Sequence, residues 1–185
     1  MYYLDCRMLQ GSGISTYLMG LIRIYKKNHC LKKNLNYLVK NYTRVISNAP
    51  DYLNQYRFKS NIYSLNEQIF YPSILKLNDV LHVPHYNAPL RFPGKLVVTV
   101  HDLCHLVMKE FFKGPAKRFY SSIFMRQVLK KSSVIITPSH FTKGEILKYF
   151  KIDPKKIVVI HNGLDPHFYP RNLNEQNTVQ KANGF

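Results

Sequence analysis

Acidic residues are scarce: ten Asp and Glu stand against 27 Lys and Arg in 185 residues, a formal charge of +17 with histidine neutral. Such an excess needs an anionic partner, and nucleic acid, an anionic membrane surface or a phosphorylated ligand all qualify. Cysteine is also scarce. Cys6, Cys30 and Cys104 are odd in number and show no paired spacing, which excludes a disulfide framework and a zinc knuckle and favours a reducing compartment. No stretch of about 18 uncharged apolar residues occurs, so a membrane-spanning helix is excluded. The opening Met1-Tyr2-Tyr3-Leu4-Asp5-Cys6-Arg7 places a carboxylate and a guanidinium where a signal peptide needs an apolar run, and the expected location is cytoplasmic.

Hydrophobic residues make up 45% and aromatic residues 14% of the chain, enough to bury a core and to rule out wholesale disorder. The length predicts one domain. Short apolar runs alternate with segments of helical period, the pattern of an α/β fold with a parallel sheet covered by helices on both faces. Tyr2 to Asp5 reads as a strand, Gly11-Ser12-Gly13 as a turn, and Ile14 to Lys27 as a helix with Tyr17, Leu18, Leu21, Ile22 and Tyr25 at helical spacing. Between residues 28 and 61 only Tyr37 to Val39 and Arg44 to Ile46 read as strands. Leu65 to Leu77 reads as a helix interrupted at Pro72, and Val80 to Val83 as a strand. Leu96 to Val100, β-branched and without polar alternation beyond Thr99, predicts a central strand buried on both faces. Pro115 to Lys131 predicts a helix with a basic end, and Val134 to Thr137 a strand. Pro138-Ser139 opens a helix to about Tyr149, with Ser139 or Thr142 as N-cap and Glu145 placed to complete a box with Thr142. Ile157 to Ile160 is the last predicted strand. Residues 1–170 are the expected domain, and 171–185 a polar linker or the start of a further domain.

In such a sheet ligands bind beyond the carboxyl ends of the strands, and four such places hold informative residues. Gly11, Ser12 and Gly13 would let a phosphate approach the backbone at a helix N-terminus; a glycine turn without a ligand is the competing reading. His101 and Asp102 form the candidate catalytic pair, since a histidine there orients or deprotonates a hydroxyl and a carboxylate neighbour fixes its tautomer. A strand-end cap is the alternative. His85, Tyr86 and Asn87 would line a polar cleft, whereas His82 and His85 share a metal only if the chain turns at Pro84. Ser139 and Lys143, at a second helix start, are candidate anion binders, and Asn162, Gly163 and Asp165 follow the final strand; capping and turn chemistry compete for both.

Several of these residues stand in recognisable phrases. Asp5, Arg7 and Gly11-Ser12-Gly13-Ile14-Ser15-Thr16-Tyr17 resemble an Asp-x-Arg followed by Gly-Gly-Ile-Gly-Thr-Tyr. Thr99 to Leu103 matches Thr-Val-His-Asp-Leu, Ile136 to Ile146 matches ITPSxFTKxEI, and Lys156 to Pro170 matches KIxVIxNGxDxxFxP. Taken in order, these phrases resemble the N-terminal, acceptor-side domain of family 4 glycosyltransferases, the retaining group of the two-domain GT-B fold, and especially mannosyltransferase-like members that build surface polysaccharide such as lipopolysaccharide.

The resemblance implies a Rossmann-like N-terminal half of a GT-B fold. It implies transfer of a hexose, mannose or glucose, from a nucleotide-sugar donor to a hydroxyl of a lipid-linked or polysaccharide acceptor. It places Gly13 in the loop facing the donor diphosphate, His101 beside the transferred sugar, and Asn162 to Asp165 at the crossing to a second domain. It calls for no catalytic metal and no cofactor, the nucleotide-sugar being a co-substrate. Ser15 departs from the family's second glycine and is expected to crowd the loop. Family members hold the donor mainly through two glutamates with seven residues between them; Glu67, Glu110, Glu145 and Glu175 include no such pair. The chain alone is therefore expected to fold marginally and not to turn over, which leaves a separately encoded C-terminal half as a candidate partner. Lys26, Lys27, Lys32, Lys33, Lys113, Lys117 and Arg118 would suit an anionic inner-membrane surface. Two other classes compete: a basic nucleic-acid binder, against which the lysines are scattered and no nucleic-acid motif is found, and a metal-dependent phosphohydrolase using His82, His85, His101, Asp102 and His105.

Overall fold

The computed structural model describes residues 1–9, 13–28, 34–40, 54–62, 64, 66–67, 73–107 and 115–164. Its elements run β1 (Tyr2–Asp5), α1 (Gly13–Lys27), β2 (Leu35–Val39), β3 (Asn54–Arg57), β4 (Val80–Val83), β5 (Lys95–Thr99), α2 (Cys104–Val107), α3 (Pro115–Lys131), β6 (Val134–Thr137), α4 (His140–Tyr149) and β7 (Ile157–Val159). A single turn of 3-10 helix at Pro154–Lys156 precedes the last strand. All seven strands pair in parallel, in the order β3-β2-β1-β4-β5-β6-β7. The chain winds outward from β1 to β3 and then restarts on the other side of β1 with β4. The direction of winding therefore reverses between β1 and β4, where α/β sheets open a crevice at their carboxyl edge.

Period-two alternation sends neighbouring side chains to opposite faces and builds two cores. Leu4, Leu35, Tyr37 and Val39 pack beneath Leu18 and Ile22 of α1. On the other face Tyr3, Leu38, Leu81, Val83, Leu96, Val98 and Val100 join Met125, Val128 and Leu129 of α3 and Ile146 of α4. The same alternation turns His82 and Thr99, each one residue out of step with the aliphatic face, towards the α1 side. Both are buried.

Three expectations change at this level, and one choice between alternatives is decided. Residues 73–77 are turns rather than a helical continuation: Pro72 removes a backbone donor, and the Asp79 carboxylate accepts from the Lys76 N–H at 2.7 Å, closing the chain locally. β3 is a strand that Asn54-Gln55-Tyr56-Arg57 does not announce, because pairing with β2 rather than apolar pattern supplies its conformation. Ser139 is the N-cap of α4, its hydroxyl accepting from the Thr142 N–H at 3.1 Å, so Thr142 lies inside the helix. Glu145 pairs with Lys148 at 3.6 Å. The predicted strand Arg44 to Ile46 and the predicted linker from residue 171 lie outside the described residues. Among the described residues no helix is long and apolar enough to cross a membrane.

Two glycines give opposite expectations. A Cβ on Gly94, at the turn into β5, would meet the Asp79 carbonyl oxygen and the Phe92 ring, whereas one on Gly20, within α1, would meet nothing within 4 Å. Gly94→Ala is expected to cost about 1–3 kcal/mol through overpacking. Gly20→Ala is expected to add about 0.5–1 kcal/mol by removing unfolded-state freedom. Urea denaturation of the two variants checks the pair, and equal midpoints would contradict it.

Candidate functional site

The carboxyl edge at the winding reversal is organised by a buried cation. The Arg7 side chain, just past β1, is fully buried. Its Nε donates to Asp5 at 2.9 Å, its Nη1 to the Ser60 carbonyl at 3.1 Å, and its Nη2 to both Asp5 and Glu67. The Phe58 ring lies 3.9 Å from the guanidinium carbon. Burial raises the Asp5 carboxyl, but the Arg7 charge and its hydrogen bonds outweigh burial and hold it below its ordinary value. Removing one partner of such a group strands a buried charge, at a cost of roughly 3–5 kcal/mol.

Glu67 carries this anchor to the loop after β4. Its carboxylate also accepts from the Asn87 side-chain amide, and the Asn87 backbone N–H donates to His85 Nδ1 at 2.9 Å. Burial, opposed by Asp5 and aided by Arg7, pushes His85 down to about 4, so its ring is neutral at pH 7. With Nδ1 accepting, its hydrogen sits on Nε2. The Tyr86 ring meets the His85 ring edge-on at 6.0 Å between centroids.

His101, past the end of β5, is tied to the same loop. Its Nε2 lies 2.9 Å from the Pro84 carbonyl, which only accepts, so Nε2 carries the hydrogen and Nδ1 is the acceptor of the neutral ring. Burial holds the ring below its ordinary value, with Asp102 and the Pro84 bond opposing. Tyr17 of α1 presents its ring edge-to-face to His101 at 5.0 Å. The Thr142 hydroxyl donates to the His101 carbonyl at 3.3 Å, joining α4 to this corner. Behind Tyr17 stands a polar chain: its hydroxyl lies 3.2 Å from Thr99 Oγ1, and Thr99 lies 2.9 Å from His82 Nε2. His82 Nδ1 in turn lies 2.9 Å from the Tyr2 hydroxyl. Burial, reinforced by His101, pushes His82 down to about 4.

The structure thus gathers His85, Tyr86, Asn87 and His101 at one corner and separates others from it. Asp102 is exposed, and its carboxylate accepts from the Cys104 N–H at 2.9 Å, at the start of α2. Gly13 is exposed at the first turn of α1; Gly11, Ser12 and Asp165 lie outside the described residues. The Ser15 hydroxyl donates to the Leu9 carbonyl at 2.8 Å and ties the first turn of α1 to the chain just after β1. Ser139 is occupied as a cap. Lys143 donates from Nζ to the Ile157 carbonyl at 2.9 Å, which ties α4 to β7. Asn162 and Gly163 are exposed beyond β7. No three His, Cys, Asp or Glu side chains among the described residues are grouped to hold a metal ion, and His82 spends both ring nitrogens on hydroxyls. Arg7, Glu67, Tyr17 and Thr99 were not among the predicted site residues. Thr99, the lone polar residue of a buried run, and Tyr17, inside the glycine phrase, were signals; Glu67 has none in its own neighbourhood.

The two deeply buried histidines set a pH dependence. Unfolded histidine titrates near 6.5, so between about pH 4 and 6.5 the unfolded chain binds the extra protons and stability falls on acidification. The slope is at most about 1.4 kcal/mol per pH unit for each ring. Asp5, held low, loses its contribution only below this window. Urea midpoints are expected to drop between pH 7 and pH 5, and less so in His82→Gln; a flat midpoint would refute the assignment.

Comparisons place this geometry among known proteins. The model of Glycosyltransferase Family 4 matches residues 28–168. None of the curated proteins matches the chain. Among solved structures, HepE of Anabaena in complex with UDP and glucose superposes with a TM-score of 0.65 at 13% identity, over 99% of this chain and 50% of that one. The same protein with UDP-glucose gives 0.63 at 14% identity. A glycosyltransferase from Rickettsia africae ESF-5 gives 0.54 at 19%, over 99% of this chain and 49% of its own. The chain thus spans about half the length of the structures it resembles, and its sheet is the Rossmann-like α/β unit expected of a GT-B half. With the family model matched across most of its sequence, the chain belongs to glycosyltransferase family 4.

Proposed function

We propose that the chain is the acceptor-side half of a retaining glycosyltransferase. The reaction moves glucose or mannose from a nucleotide-sugar to a hydroxyl of a lipid-linked or polysaccharide acceptor. The observation that carries this reading is His101: a neutral imidazole whose Nε2–H is committed to Pro84, so that Nδ1 is left to accept from a sugar or acceptor hydroxyl. Family membership and the UDP and glucose bound by HepE support the donor class. His85, Tyr86 and Asn87 line the same corner, and Gly13 opens the loop towards the diphosphate. Ser139 and Lys143 serve that corner indirectly, by fixing α4 beside it. Asn162, Gly163 and Asp165 are the hinge towards a second, nucleotide-binding half. No metal or other cofactor enters; charge on the departing diphosphate is balanced by backbone N–H groups and basic side chains.

The corner is expected to bind saccharide but little free nucleotide, and the chain alone is expected to show no transfer from UDP-glucose or GDP-mannose. Histidine-ring NMR of the chain checks this. Methyl glucoside or methyl mannoside should move the His101 signals, with roughly tenfold weaker binding in His101→Ala, about the worth of one good hydrogen bond. Tight UDP or GDP binding, or clear turnover, would overturn the acceptor-side reading.

In this reading the site works on the cytoplasmic side of the membrane, and the positive charge serves an anionic leaflet that holds the acceptor rather than a nucleic acid. Lys27 is exposed at the end of α1, as are Lys130 and Lys131 at the end of α3. Each charge near such a surface adds about 1 kcal/mol of attraction. Sedimentation with vesicles at low salt should show binding to phosphatidylserine-containing but not neutral vesicles, and equal binding to both would exclude it.

A further inference from the structure

Tyr17 and Tyr25 of α1 are eight residues apart, on one stripe of the helix over the polar side chains of the sheet. Five groups form an unbroken series. The Tyr25 and Tyr2 hydroxyls are 3.3 Å apart. Tyr2 lies 2.9 Å from His82 Nδ1, His82 Nε2 lies 2.9 Å from Thr99, and Thr99 lies 3.2 Å from the Tyr17 hydroxyl. Because α1 runs antiparallel to the strands, the series crosses the buried sheet face from the amino edge, at Tyr25, to the carboxyl edge, at Tyr17.

The chemistry of the members leaves this series two self-consistent polarities. A hydroxyl donates one hydrogen bond and accepts others, and a neutral imidazole donates from one nitrogen and accepts at the other. With the hydrogen on His82 Nε2, Tyr2 donates to Nδ1, Nε2 donates to Thr99, Thr99 donates to Tyr17, and the Tyr17 hydrogen points onward to a ligand. With the hydrogen on Nδ1 every bond reverses, Tyr17 donates inward to Thr99, and its oxygen accepts from a ligand. An imidazolium would donate at both ends; burial, which pushes His82 down to about 4, removes that form at neutral pH.

We propose that Tyr17 is a further ligand-binding residue of the His101 corner, contacting a saccharide hydroxyl, and that His82 is its positioning residue, its tautomer deciding whether Tyr17 gives or takes that hydrogen bond. The Tyr17 ring stands 5.0 Å edge-on from the His101 ring, so the two report on the same corner. A saccharide hydroxyl both donates and accepts and is served by either polarity, whereas a phosphate oxygen only accepts and would lock one. The identity of the ligand rests on the glycosyltransferase reading; the coupling of tautomer to hydroxyl does not.

Long-range proton–nitrogen NMR of the histidine rings in the 185-residue chain reads the His82 tautomer directly. Two variants each delete one oxygen and keep the ring. In Tyr17→Phe the Thr99 hydroxyl has His82 Nε2 as its remaining acceptor in the series, so the population should move to Nδ1–H. In Tyr2→Phe an Nδ1–H would be buried without a partner, so it should move to Nε2–H. The parent chain should be a mixture, with each variant at least doubling the share of one form. The same tautomer in all three proteins would overturn the coupling. Methyl glucoside, followed at the His101 ring signals, should bind the parent several-fold more tightly than Tyr17→Phe, while sulfate, which carries no hydrogen at neutral pH, should drive the tautomer mixture only towards Nε2–H. Equal binding of methyl glucoside by the parent and by Tyr17→Phe would overturn the saccharide contact, whatever the nucleotide-binding and transfer assays report on the wider reading.

Discussion

A guanidinium removed from water must be surrounded by acceptors, and the Arg7 side chain makes that demand at the centre of the sheet's carboxyl edge. Asp5 meets it from two residues away, and Ser60 and Glu67 from more than fifty residues away. Satisfying the charge therefore brings distant residues together: Phe58, Ser60 and Glu67 are drawn against the end of β1, and through Glu67 the loop after β4 is drawn in as well. The corner that holds His85, Tyr86, Asn87 and His101 is shaped by this requirement more than by apolar contact. Its histidines are neutral because the same closure buries them.

Local signals and distant ones divide cleanly between what was legible in the sequence and what was not. β1, β5, β6 and the Ser139 cap rest on patterns within a few residues of each other, and they lie where the patterns put them. β3 rests on its neighbour: Asn54-Gln55-Tyr56-Arg57 carries no apolar run, and only the pairing with β2 extends it. Leu65 to Leu77 has helical apolar spacing, yet the Lys76–Asp79 bond and Pro72 favour turns over its last part. The candidate site divides in the same way. His101 and the loop after β4 were legible because strand ends in a parallel sheet are where ligands meet the chain. Glu67 was not, since nothing near it foretells a partner sixty residues earlier in sequence.

Several residues singled out for chemistry also hold its scaffold. Asp102 caps α2, Ser139 caps α4, and Lys143 fastens α4 to β7. His82, considered as a metal ligand, has a hydroxyl at each ring nitrogen. In each case the residue type suits two tasks, and the hydrogen-bond partner that serves the scaffold is a tertiary fact.

The anchoring of α1 has a mechanical side. Ser15 holds the Leu9 carbonyl at its start, Tyr17 holds Thr99 at the carboxyl edge, and Tyr25 holds Tyr2 at the amino edge. A helix pinned at three heights cannot slide along the sheet by even one residue, about 1.5 Å, without parting all three. Force applied to the glycine loop is then not absorbed as a piston stroke between helix and sheet. α1 and the sheet therefore move together as one body.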